Sequence, residues 1–158
     1  MFPYPRREAS VGEPARAMMR GERPVGSVKG MKRMRLSRTK GQFRVEAETR
    51  LIGEDLVVSI WGGTRPHVGA VALAIPRPSL KNQRVTSATS SVFTRLGHKE
   101  DEIVKRFSEQ VSAGVNRVVV VTAGIHWDGI SPQGVEIVRS LCDEISRSLI
   151  GRVSERKR

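Results

Sequence analysis

The sequence predicts an α+β domain of two layers, with two helices on one face of a mainly antiparallel sheet of about five to six strands. Three patterns carry this prediction. Apolar and polar residues alternate from Phe43 to Leu51, four valines stand in a row at 118–121, and apolar residues recur every three or four positions from Val135 to Leu149. These patterns are typical of a half-buried strand, a fully buried strand and a helix with one buried face.

Four strands are expected before the first helix: Phe43–Leu51, Leu56–Trp61, His67–Ile75 and Arg84–Thr94. The first two form a hairpin, because residues 52–55 supply a turn that contains Gly53. The third is expected to end at Pro76, because proline cannot donate a hydrogen bond to a strand ladder. The fourth is rich in Thr, Ser, Val and Phe, which suit extended backbone.

The second half of the chain alternates helix, strand and helix. The first helix opens at Gly97-His98, places Glu100, Asp101 and Glu102 in its first turn and ends at Gly114, since acidic residues suit a helix N-terminus. Arg117–Thr122 is the fifth strand. Ser131 as N-cap and Pro132 as the first helical residue begin the last helix, which is expected to close at Gly151. The predicted order is β-β-β-β-α-β-α.

Charge divides the chain into three parts. The net charge of +12 and the pI near 11.1 are concentrated at the ends, because residues 1–40 carry 11 Lys and Arg against 3 Glu and residues 151–158 carry 4 against 1. We expect a disordered basic arm at 1–40, a domain at 41–150 and a basic tail at 151–158. Met31 and Met34 are alternative start sites, in which case much of the arm would be an annotation artefact.

Several protein classes are not favoured. No apolar run approaches the roughly 18 residues that span a bilayer, and the first seven residues lack the apolar segment of a secretory signal. The lone Cys142 cannot form an internal disulfide, which fits a cytoplasmic location. No zinc-protease, nucleophile-elbow or Walker pattern is present, and no Ser-His-Asp arrangement is visible, so nothing in the sequence supports a hydrolase.

The three histidines are predicted to lie at one end of the domain. If successive elements run in alternating directions, the chain reversals near His67, His98 and His126 all fall at the same end. Imidazoles together with Asp101 or Asp128 could bind a divalent metal ion there, and helix N-termini could bind a phosphate. Taken singly, each histidine is more often a hydrogen-bonded surface residue than a ligand.

Three sequence blocks resemble one protein family. They are GGTRPHVG at 62–69, GHKED at 97–101 and TAGIHWD at 122–128, the last followed by Ile130. They are similar to the small D-type, LpdD-like proteins found with gallate-type hydroxyarylic acid decarboxylases, which are regarded as chaperones of prenylated flavin with a fold similar to proteasome assembly chaperones. The resemblance covers about residues 42–148, but residues 77–92 align poorly.

The resemblance implies a carrier of prenylated FMN, or of FMN, between a flavin prenyltransferase and a UbiD-type decarboxylase. The expected cofactor-binding residues are Gly62, Gly63, Pro66, His67, Gly69, His98, Lys99, Gly124, His126 and Trp127. The expected metal ligands are His67, His98, His126 and Asp101. A part in the oxidative maturation of the cofactor and a homodimer are left open. The alternatives are a nucleic-acid-associated protein acting through residues 1–40 and a proteasome-assembly-type protein chaperone.

Overall fold

The computed structural model describes residues 33–155 and has the predicted α+β architecture. The strands are β1 (Arg33–Lys40), β2 (Phe43–Ile52), β3 (Asp55–Gly63), β4 (Ala70–Pro78), β5 (Thr86–Thr94) and β6 (Val119–His126), and the helices are α1 (Asp101–Val115) and α2 (Pro132–Glu155). The predicted arm over residues 1–32, the alternative start at Met31 and the last three residues of the predicted tail lie outside the described residues.

The sheet order places three loops at one end of the molecule. The strands run in the order β1-β2-β3-β6-β4-β5, with β3 and β6 parallel and every other neighbouring pair antiparallel. Gly63 at the end of β3 pairs with His126 at the end of β6, and Ala70 at the start of β4 pairs with Ala123. Residues 64–69, 95–100 and 127–131 therefore meet at the same end, which we call the histidine end.

Both helices cover one face of the sheet. Val58, Ile60 and Val121 point into the helix side and are at most 2% exposed, as is Phe107 of α1. Each such side chain stabilises the fold by about 1.5–3 kcal/mol relative to an exposed one. No helix of residues 33–155 packs on the opposite face, which we call the helix-free face and which carries the alternate residues of each strand.

Part of the predicted disordered arm is strand β1. Residues 33–40 pair with β2 across a two-residue turn in which Gly41 has a φ of +59°. Leu36 is buried, while Arg33 and Arg35 hydrogen-bond to Glu48 on the neighbouring strand. The prediction of disorder is therefore wrong for residues 33–40, because cross-strand ion pairs make an arginine-rich alternation compatible with a strand.

Two predicted boundaries also need correction. β4 begins at Ala70, so His67 lies in a loop, and it continues through Pro76 to Pro78. Pro76 is tolerated because the pairing of β4 with β6 ends at Ala74, which leaves that side of the strand without a ladder to donate to. Helix α2 likewise runs through Gly151 to Glu155, so the tail prediction is wrong for residues 151–155. Neither described helix combines the length and apolarity needed to cross a membrane.

Candidate functional site at the histidine end

The structure brings the three histidines together. His67 Nε2 lies 2.9 Å from His98 Nδ1, and the two ring centroids are 4.6 Å apart. The ring of His126 lies 6.3 Å from that of His67. The loop that carries His67 is fixed against β6 by a 2.8 Å hydrogen bond from Gly69 N to Ala123 O. The proximity expected from the order of the elements is thus observed, while the roles of these residues as ligands stay predictions.

Glu100 is a buried carboxylate beneath two of these rings. It is 6% exposed and immediately precedes α1. Its carboxylate accepts hydrogen bonds from the backbone amides of Lys99 at 3.1 Å and Ile125 at 3.2 Å. The same group lies 3.2 Å from His67 Nε2 and 3.6 Å from His98 Nδ1. Glu100 therefore connects the loop before α1, the end of β6 and two histidines.

Asp101 does not occupy the position predicted for it. It is the first residue of α1 and is exposed, so the carboxylate that reaches His67 and His98 is that of Glu100. The sequence prediction placed Glu100 in the first turn of the helix together with Asp101 and Glu102. As the residue before the helix, Glu100 turns its side chain back toward the loop, and no pattern in the sequence distinguishes it from Asp101.

His126 belongs to a second, more exposed group. Its Nε2 lies 3.0 Å from Asp128 Oδ1 and 3.1 Å from Arg65 Nη2, and Arg65 also forms an ion pair with Asp128. The hydrogen bond from His126, followed by that from Arg65, holds the pKa of Asp128 below its usual range. Because one nitrogen cannot both accept from Arg65 and donate to Asp128, the tautomer of His126 decides which contact is made.

The glycines predicted to approach a cofactor mostly approach the protein itself. A Cβ at Gly124 would lie 1.8 Å from the carbonyl oxygen of His67, and one at Gly69 would lie 2.5 Å from Glu100 Oε2. Gly62 and Gly63 are similarly close to backbone oxygens of Arg44 and His126. These glycines allow the loops to pack tightly, which is what places the histidines side by side.

The surface of the histidine end differs from the one predicted. Trp127 packs edge-on against Phe43 with centroids 5.2 Å apart and contacts the core, so it serves as a lid over the hydrophobic core. The exposed apolar side chains here are Val68 and Leu96, which are 53% and 100% exposed. Sequence reasoning missed both, although each stands next to a motif glycine. Two predicted residues, Pro66 and Lys99, are exposed on the same loops.

A groove elsewhere in the molecule is a poor alternative site. It measures about 320 Å³ and lies between α1 and α2, lined in part by Arg106, Arg139 and Asp143. Arg106 donates to both carboxylate oxygens of Asp143 at 2.9 and 2.8 Å, and Arg139 pairs with Glu102. These charges already satisfy one another, so the groove offers little to an anionic ligand.

The fold and the histidine end define a small domain with a polar site built on loops and little enclosed volume. Residues 39–154 match the prenylated flavin chaperone LpdD-like domain, and the chain belongs to this family. A relative, Protein LpdD of Lactiplantibacillus plantarum, is 25% identical over 108 residues, which covers 68% of this chain and 76% of the relative. Family membership supports a chaperone role for prenylated flavin and implies an interaction with an enzyme that uses it.

Proposed function

We propose that the chain binds prenylated FMN at the histidine end and carries it from a flavin prenyltransferase to a UbiD-type decarboxylase. The observation that supports this best is the convergence of His67, His98 and His126 within the region that matches the flavin-chaperone family. All three histidine rings are partly exposed, so a ligand can reach them. A carrier needs such an open site, because it must release the cofactor as well as bind it.

Charge favours one position for the phosphate group. Helix α1 carries Asp101 and Glu102 in its first turn, which repel an anion, whereas α2 carries no acidic residue in its first turn. Backbone amides at a helix N-terminus bind phosphate when no acidic side chain competes. The nearby carboxylate of Asp128, three residues before Ser131, is paired with Arg65 and His126, so its negative charge is compensated and opposes an anion less. We therefore assign the phosphate to the α2 side of the histidine end.

The prenylated ring system has an apolar surface available on the other side. Arg95 N donates to Gly69 O at 2.9 Å, so the loop that carries Leu96 packs against the loop that carries Val68. Val68 directly follows His67 in the chain and Leu96 stands two residues before His98, and both side chains are exposed. Apolar side chains that hold the ring body, with polar groups at its edge, are the usual composition of a cofactor site. This assignment replaces the predicted contact with Trp127.

The binding test uses the purified full chain and reduced prenylated FMN under anaerobic conditions. The flavin absorption and fluorescence spectra should change on binding, and His126→Ala should abolish the change while the circular dichroism spectrum stays native. Leu96→Ser should weaken binding about tenfold, as expected for the loss of about 1.5 kcal/mol of apolar contact. Leu80→Ser is the matched control, because Leu80 is 91% exposed in the loop at the opposite end. Spectra identical to those of free cofactor would refute the proposal.

The transfer step is tested with an apo-decarboxylase. Cofactor supplied by the chain should produce active decarboxylase faster than the same concentration of free cofactor. Arg65→Ala should slow this delivery, whereas Arg77→Ala, which removes an equal charge from the far end of β4, should leave it unchanged. Equal rates with and without the chain would contradict a carrier role.

Two other expectations from the sequence are independent of this experiment. A cytoplasmic location stays an expectation, and the binding of a divalent metal ion stays a separate prediction.

We also propose that a second copy of the chain covers the helix-free face of the sheet. Val71, Leu73 and Ile75 project from this face, opposite the buried alanines of β4, and Phe93 pairs with Val71 from β5. Leu73, Ile75 and Phe93 are 41%, 53% and 78% exposed. Strands apolar on both faces are typical of a sheet that is covered on both sides. The exposed apolar side chains of this face lie on β4 and β5, whereas the same face of β1 and β2 carries Arg33, Arg35 and Glu48, so we centre the proposed contact on β4 and β5.

A further inference from the structure

Three side chains at the histidine end have the spacing of metal ligands. The ligand atoms of His67, His98 and Glu100 all lie within 4.8 Å of one another. The individual separations are 2.9 Å between the two imidazole nitrogens, 3.2 Å from His67 to Glu100 and 3.6 Å from His98 to Glu100. Two ligands bonded to one zinc ion at about 2.0–2.1 Å and at a tetrahedral angle lie about 3.3 Å apart. The three observed separations bracket that value.

The orientation of His67 supports the same conclusion. Its Nδ1 lies 2.9 Å from the backbone oxygen of Arg65, and a carbonyl can only accept, so Nδ1 carries a proton that it donates. In the neutral ring the lone pair of Nε2 then points at His98 and Glu100. Metal-binding histidines almost always donate their second ring N–H to a carbonyl or carboxylate in this way. The loop therefore fixes His67 in the tautomer that a metal ion requires.

The charge of Glu100 also calls for a cation. The carboxylate is buried, and its hydrogen-bond donors are two backbone amides. Across residues 33–155, no Lys or Arg side chain forms an ion pair with Glu100. A buried carboxylate without a compensating positive charge is costly, and a divalent ion held jointly with two imidazoles would supply that charge.

We propose that His67, His98 and Glu100 bind one divalent first-row transition-metal ion of the zinc type. Two imidazoles and a carboxylate select such a metal over Mg²⁺ or Ca²⁺, which prefer oxygen ligands. Three protein ligands leave at least one coordination position open for water or for an oxygen of a bound ligand. His126 and Asp101 are not ligands on this proposal, although the sequence suggested both. The proposal is independent of flavin binding.

The test measures Zn²⁺ and Co²⁺ binding to the full chain, without a histidine tag and without flavin. Calorimetric titration should give one site per chain, and Co²⁺ should produce the visible absorption bands of a site with nitrogen and oxygen ligands. Glu100→Gln and His67→Ala should each weaken binding at least about tenfold. Asp101→Asn and His126→Ala are the matched controls, because each removes the same chemical group from a neighbouring position and should leave affinity within about twofold.

The outcomes separate a metal site from a hydrogen-bonded pair of histidines. If the native chain binds neither ion at micromolar concentration, the 2.9 Å contact between His67 and His98 is a hydrogen bond and the proposal is wrong. If Asp101→Asn or His126→Ala weakens binding as much as Glu100→Gln does, the ligand set is wrong. Thermal melts of each variant without metal identify any that fail to fold, and the conservative Glu100→Asp variant, which keeps the charge, should restore part of the lost affinity. Loss of flavin binding alone would leave the metal titration unchanged, so the two proposals fail separately.

Discussion

Replacing Gly124 by alanine tests whether the histidine end depends on the close approach of two backbone segments. The added Cβ would lie 1.8 Å from the carbonyl oxygen of His67, and real Cβ atoms essentially never come closer to another atom than 3.0 Å. The His67 loop must therefore move away from β6 by about 1.2 Å, the difference between these two distances. Such a shift stretches the 2.8 Å bond from Gly69 N to Ala123 O beyond the range of a hydrogen bond.

The expected cost follows from these two effects. Overpacking costs about 1–3 kcal/mol, and an unsatisfied buried amide costs a further 1–3 kcal/mol. We expect the free energy of unfolding of Gly124→Ala to fall by about 2–6 kcal/mol, the sum of the two costs, measured by urea denaturation with tryptophan fluorescence. Gly151→Ala is the matched control. Its Cβ meets nothing within 4 Å inside α2, so alanine should stabilise the protein by up to about 1 kcal/mol.

The prediction is wrong if the free energy of unfolding of Gly124→Ala lies within about 0.5 kcal/mol of the parent value. The two backbone segments would then be able to separate at no cost. A destabilised variant that retains full metal affinity would also contradict it, since the displaced loop carries His67. The Gly124→Ala variant should therefore show both a lower free energy of unfolding and a lower metal affinity than the parent protein.

Three further predictions concern charge, burial and assembly. Hydrogen bonds from three arginines, Arg33 first, lower the pKa of Glu48 to about 2, below the 4.5 of an unperturbed carboxyl. The stabilisation from these hydrogen bonds is therefore present above pH 4.5 and is lost as the pH falls toward 2. The difference in free energy of unfolding between the parent and Glu48→Gln should shrink over that range. A difference that stays constant would contradict this prediction. Burial raises the pKa of the Cys142 thiol to about 12, so iodoacetamide at pH 8 should label it only in urea, and rapid labelling of the native protein would show that the site is open. Phe93→Lys should convert a dimer into a monomer in light-scattering measurements while Leu80→Lys does not, and a monomeric parent at all concentrations would exclude the dimer.

The sequence allowed the fold and the proximity of the three histidines to be predicted, because both follow from the periodicity of apolar residues and the order of the strands and helices. Alternation in β2, the valines of β6 and the spacing in α2 each reflect burial, which dominates the choice of secondary structure. The positions of His67, His98 and His126 relative to the strand ends were enough to bring them to one end. Strand β1 was missed because its arginines resemble those of a disordered arm until Glu48 is placed opposite them.

The carboxylate that lies beside the histidines could not be predicted, because its identity depends on where one helix starts. A shift of one residue decides whether Glu100 or Asp101 faces the histidines, and helix boundaries are the least certain part of a sequence-based prediction. The role of Trp127 depended in the same way on a neighbour 84 positions away, Phe43, which no local pattern identifies. Gly69 and Gly124 were predicted to bind a cofactor, which stays a prediction, and the atoms that lie against them in the structure belong to Glu100 and to the backbone of His67.

The most direct test of the account is to locate the bound cofactor by NMR. Reduced prenylated FMN is titrated into ¹⁵N-labelled full chain, and backbone amide shifts are followed. The account predicts that the largest changes fall in residues 64–69, 95–100 and 124–131, while Gly53 and Leu80 at the opposite end do not move. Changes confined to the groove between α1 and α2, or to the helix-free face, would contradict the assignment of the flavin site to the histidine end.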